Sequence, residues 1–234
     1  MTCIVGIIAH DNSVWIGGDS AGVGGYKLTI RKDEKVFKKG EFIFGFTSSF
    51  RMGQLIRYSF SPPKRHEGSD LFEYMATAFI DAIRECFKAG GYARKKNDEE
   101  QGGCFMVGYR GRLFVIYDDY QVEEPVTPYA AVGCGDDIAY GSLYTTHGGC
   151  IAVDERIKTA LSAAEQFSAG VRGPFVVESI PGTAAEMKTG GVERQPFFRG
   201  GIQPTSEMIA DNVVGNIPAE DIEHRVQEAF LAEE

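Results

Sequence analysis

This 234-residue chain is short of several things. No apolar run approaches the roughly 20 residues that a membrane-spanning helix needs. No basic segment precedes a long apolar stretch after Met1, so a secretory leader is not indicated. Positive charge is scarce: 24 Lys and Arg stand against 33 Asp and Glu, for a net charge of −9. With no dominant basic patch, nucleic acid and membranes are poor partners. The five cysteines, Cys3, Cys86, Cys104, Cys134 and Cys150, are odd in number and contain no CxxC pair. They read as reduced thiols of a cytoplasmic protein. No internal repeat and no low-complexity block occurs. What remains, 43% hydrophobic and 24% charged, fits one ordinary soluble domain, or one domain with a tail.

In order, the chain reads as short strands, helices, strands, helices, then a strand. The first strand-like runs are CIVGI, VWIGG, KVFKK and FIFGF. A short helix is expected over 50–58. A longer amphipathic helix opens at Ser69-Asp70, carries Phe72, Met75, Phe79, Ile83 and Phe87 on one face, and ends at Gly90-Gly91. Residues 92–101 read as a polar loop. CFMVGY and LFVIY form a hairpin about Arg110-Gly111-Arg112. A further strand ends in Gly133-Cys134-Gly135 and runs straight into a helix. Another helix spans 154–168, with Ile157, Leu161, Ala164 and Phe167 on one face, followed by the strand FVVESI. Beyond residue 180 Gly and Pro accumulate. The expected division is a domain over 1–180 and an extension over 181–234, with one more strand near VERQPFF and a terminal helix from about Pro218. Periodicity alone gives mixed α and β.

Four residues near the start carry chemistry: Thr2, Asp19, Lys35 and Gly45. Once Met1 is removed, an N-terminal threonine is a complete catalytic device, because its hydroxyl attacks and its own α-amine takes the proton. That amine ordinarily titrates at about 7.7–8.0. A neighbouring lysine ammonium would lower it, and a carboxylate would hold that lysine charged and oriented. Each residue alone has a plainer reading. Thr2 follows a start codon, Asp19 ends a strand, Lys35 lies in the charged run RKDEKVFKK, and Gly45 is a bulge glycine. Cys3 is read as a strand residue facing away from the site.

Taken together, Thr2, Asp19, the Lys35-Val36 pair 16 residues later, and Gly45 resemble the start of a proteasome β-subunit or of HslV. They are closest in style to bacterial proteasome homologues that begin Met-Thr without a long propeptide. The resemblance implies an α+β fold, the four-layer αββα sandwich of the N-terminal nucleophile (Ntn) hydrolases. It implies a threonine peptidase with Thr2 as nucleophile and base, Lys35 and Asp19 tuning the amine, and the Gly45 N–H serving the oxyanion. Gly133-Cys134-Gly135 matches the family's Gly-Ser-Gly, so Cys134 stands where a serine supports the threonine amine. A thiol is the weaker partner. The chain departs from the pattern at Ser168 and Val171, where an Asp and a Ser are expected. Phe37, Ile43 and Thr47 are expected to line a pocket for a medium apolar side chain. The implied substrate is a peptide or unfolded protein, processed inside a homo-oligomeric ring, with room for an ATPase unfoldase partner and with no metal or organic cofactor. Two alternatives stay open: a catalytically silent ring subunit, and an Ntn amidase for a small amide.

Overall fold

The computed structural model describes residues 1–96 and 99–182. Six strands come first: β1 (Cys3–Ile8), β2 (Val14–Gly18), β3 (Ala21–Gly24), β4 (Lys27–Ile30), β5 (Val36–Lys39) and β6 (Phe42–Phe46). Helix α1 (Phe50–Gln54) runs into a π-turn (Leu55–Ser59). Helix α2 (Leu71–Tyr74), a second π-turn (Met75–Phe79) and α3 (Ile80–Ala89) follow as one rod. Then come β7 (Arg94–Lys96), β8 (Glu99–Gln101), β9 (Phe105–Tyr109), β10 (Arg112–Ile116), β11 (Val122–Glu123) and β12 (Tyr129–Gly133). Helices α4 (Asp136–Thr145) and α5 (Val153–Phe167) precede β13 (Val176–Ile180).

Strand alternation builds the layers. Two antiparallel sheets, ordered β12-β1-β2-β13 and β11-β10-β9-β6-β5, stack face to face. In β1, Ile4 joins Ile16, Val36, Ile43, Met106 and Leu113 between the sheets. Cys3, Val5 and Ile7 point the other way, against Leu143, Ile157 and Leu161 of α4 and α5. The opposite outer layer is aromatic: Phe42, Phe44, Phe105 and Phe114 pack on Phe79, Ile83 and Phe87 of the rod. The result is the four-layer αββα sandwich. Asp70 caps the rod by accepting from Glu73 N–H at 2.8 Å, and Ser49 caps α1 by accepting from Arg51 N–H at 3.1 Å.

Two expectations change, and a third lies outside the described residues. Residues 92–101 are not simply a loop, because β7 and β8 pair. Glu100 of this ribbon accepts from Arg84 at 2.9 Å and Lys88 at 3.2 Å, which fastens it to α3. Phe72 and Phe167, placed by periodicity on apolar faces, are 38% and 76% exposed: Leu71, Tyr74 and Met75 form the buried face of the turn that holds Phe72, and Phe167 is the last residue of α5. The strand near VERQPFF and the terminal helix lie outside the described residues.

Candidate active site

The site forms where β1 begins. Thr2 is 5% exposed, and its hydroxyl accepts a hydrogen bond from Lys35 Nζ at 2.9 Å. The same ammonium donates to Asp19 Oδ1 at 2.8 Å. Both side chains of the pair are closed off from solvent, at 1% and 0%. Asp19 is the knot of the site. Its Oδ1 also accepts from Cys3 N–H at 3.0 Å, and its Oδ2 accepts from Ala21 N–H at 2.9 Å and Arg172 N–H at 3.3 Å. Four donors therefore satisfy the buried carboxylate, as a charge in this setting requires. Burial pushes the Lys35 ammonium below the ordinary lysine range, and the Asp19 carboxylate opposes that push.

The far side of Thr2 is closed by the turn after β12. Thr2 N–H donates to Cys134 Sγ at 3.3 Å, and Thr2 C=O accepts from Cys134 N–H at 2.8 Å. Gly133 has φ +111°, and a Cβ there would collide with the Thr2 carbonyl, so this turn needs glycine. Ser168 Oγ lies 3.4 Å from Cys134 Sγ. The Thr2 hydroxyl donates to Met1 C=O at 2.5 Å. With Met1 attached, the Thr2 nitrogen is an amide. Burial pushes the Cys3 thiol far up, so it stays protonated and faces the helices as expected.

Thr2, Asp19, Lys35 and Cys134 thus meet in one place, and Thr47 stands beside them with its methyl toward the Gly133 turn. The other expected residues do not join them. Phe37 pairs with Phe44 and is buried in the aromatic layer, whereas Ile43 is buried between the sheets. Opposite faces of one sheet cannot line one pocket. Gly45 lies within β6, flanked by Val36 and Met106. Phe46 N–H bonds Lys35 C=O on one side and Thr47 N–H bonds Cys104 C=O on the other. Alternation therefore aims the Gly45 N–H along the sheet toward β9, into the ladder rather than into the site. Val171 is fully buried against α5, and only the Ser168 of that pair reaches the Cys134 thiol. Sequence reading missed the three backbone donors on Asp19. It also missed Arg31 and Phe50, whose guanidinium-to-ring contact at 3.7 Å lies beside the site.

No family model and no curated protein matches this chain. Solved structures do. BPH from Thiobacillus denitrificans, determined also in complex with epoxomicin, superposes with a TM-score of 0.63 at 16% identity over 77% of this chain and 99% of that one. The eukaryotic HslV of Trypanosoma brucei gives 0.56 at 14% identity, again over 77% and 99%. Anbu, an ancestral β-subunit from Yersinia bercovieri, gives 0.53 at 16% identity over 77% and 82%. The fold is that of the proteasome-like Ntn hydrolases. Thr2 lies directly before β1. No helix among the described residues is long and apolar enough to cross a membrane.

Proposed function

We propose that this protein is a threonine-nucleophile hydrolase that cleaves peptide bonds as part of a closed homo-oligomer. The observation that carries the reading is the buried bridge in which Lys35 Nζ binds Asp19 Oδ1 at 2.8 Å and Thr2 Oγ1 at 2.9 Å. A solvated charged run would not bury a lysine to 2% exposure beside the one hydroxyl next to the chain start. With Met1 removed, the Thr2 α-amine takes the hydroxyl proton as Oγ attacks the scissile carbonyl, and then delivers it to the leaving amine. Water cleaves the resulting ester and regenerates Thr2. The Lys35 charge disfavours protonation of that amine, which keeps it available as base. The Cys134 thiol, 3.3 Å from the Thr2 nitrogen, is its neighbour for proton handling. With Gly45 aimed into the ladder, the oxyanion donor falls to the turn where the chain leaves β6. Ser48 there has φ +45°, and its N–H has no partner among the described residues.

The oligomer is supported by the neighbours' fold. One of them, Anbu from Pseudomonas aeruginosa, is described as a helical assembly, which supports self-association and not closure of a ring. An ATPase unfoldase remains part of the proposal as a partner. A silent subunit is the second reading, because Ser168 and Val171 do not supply the polar pair that the resemblance implies around Thr2. One measurement separates the two. The intact mass should show loss of Met1, then a single adduct after treatment with a peptide epoxyketone, and no adduct for Thr2→Ala. A folded oligomer that keeps Met1 or takes no adduct would leave the silent-subunit reading.

A further inference from the structure

Beside the site lies a cavity of about 330 Å³ between the β3–β4 hairpin and Phe50. Its position is fixed by three contacts in series. The Arg31 guanidinium lies 3.7 Å from the Phe50 ring centre, that ring centre lies 5.7 Å from Lys35 Nζ, and Lys35 Nζ lies 2.9 Å from Thr2 Oγ1. The series leaves one aromatic ring, Phe50, between the cavity and Lys35. Two cations, Lys27 and Arg31, line the cavity, and no carboxylate does.

Arg31 is built into position. Asp33 grips its Nε and Nη2 from outside the cavity at 2.8 and 2.6 Å. The Phe50 ring covers one face of the guanidinium. Its stem lies against Gly22, where a Cβ would come within 2.7 Å of Arg31 Cδ. The grip leaves Nη1 with no partner among the described residues. The Lys27 ammonium likewise has none there, and it is exposed. Asp33 offsets one of the two charges, so the lining retains an excess of one cation and a preorganised, unfilled N–H donor. An arginine fork held this way is suited to a carboxylate.

We propose that this cavity selects an anionic side chain, a glutamate or aspartate of the peptide substrate, in place of the medium apolar residue that the sequence suggests. The proposal rests on the reading of Thr2 as nucleophile for where the substrate lies, but its test does not need turnover. Full-length Thr2→Ala protein is titrated with three fluorescent peptides that differ at one position, Glu, Gln or Leu, scanned through the residues next to the scissile bond. At one position the Glu peptide should bind about tenfold or more tighter than Gln, as a charge-assisted hydrogen bond supplies. Adding Arg31→Gln should erase the difference, and Arg31→Glu should turn it toward a Lys peptide. The Glu-against-Gln comparison uses an unaltered cavity, so it stands even where an Arg31 variant folds poorly. Equal binding of Glu and Gln at every position, or a preference for Leu, overturns the proposal. Selective binding by Thr2→Ala together with no hydrolysis by the wild-type protein would support the cavity's role and reject the peptidase.

Discussion

Replacing Lys35 with methionine removes one side of a buried ion pair while keeping the length of the chain. Removing one partner of such a pair typically costs about 3–5 kcal/mol, because the other charge is left unpaired. Asp19 is better protected than that. Three backbone N–H groups, from Cys3, Ala21 and Arg172, still bind it. What disappears is one hydrogen bond to a charged group, worth about 1.5–3 kcal/mol. The expected loss is therefore about 2 kcal/mol. With a urea slope of about 2 kcal/mol/M, the unfolding midpoint should fall by about 1 M. The loss should be the same in high salt, because both side chains are closed to solvent. The double variant Lys35→Met with Asp19→Leu should be less stable still by about 2 kcal/mol or more. Buried ion pairs often tolerate apolar replacement, but here Asp19 also satisfies the buried Cys3 and Ala21 amides, which would be stranded. A single variant within about 0.5 kcal/mol of wild type, or a double variant more stable than the single, would refute the account of Asp19 as the knot.

Stability should also rise with pH on the alkaline side in the wild type relative to Lys35→Met. The folded lysine is lowered by burial, so between its folded value and about 10.4 the unfolded chain holds a proton that the folded one has released; unfolding titrations from neutral pH to pH 10 measure the slope. Gly45→Ala should cost about 1–3 kcal/mol by denaturant melting, since its Cβ would stand 2.5 Å from Ile4 Cγ2 and 2.8 Å from Ile16 Cγ2 between the sheets. Cys134→Ser should hold peptide hydrolysis within a few-fold, whereas Cys134→Val should lower kcat by about tenfold with an unchanged melting temperature, because this side chain is exposed and contributes a polar contact rather than packing.

Asp19 and Lys35 were legible because their separation is local. Their 16-residue spacing matches the family pattern, and each stands just outside a strand, β2 for Asp19 and β5 for Lys35. The layers were legible from period-two and helical patterning. The cavity was not. Phe37 and Ile43 lie in adjacent strands, but the register Phe37↔Phe44 and Lys38↔Ile43 sends them to opposite faces. Pairing register is a property of two strands and cannot be read from one. The Gly45 N–H was misjudged for the same reason, since its direction depends on which neighbour each residue of β6 bonds. The Arg172 donor lies 153 residues from Asp19. Arg31, hidden in RKDEKVFKK, looked like part of a solvated run until Phe50 was seen against it.

The knot at Asp19 and the turn at Cys134 also set a clock on synthesis. Strand β1, from Cys3, leaves the ribosome early, but its β12 neighbour and the Arg172 amide emerge only near the end of the described chain. At about 5–20 residues per second, Thr2 waits on the order of ten seconds before its surroundings exist. During that wait the amino end is open to trimming. Afterwards Thr2 is held at 5% exposure beneath the Cys134 turn. Met1 itself stays 56% exposed in the folded chain, so what the arrival of β12 closes off is Thr2 and not the residue before it.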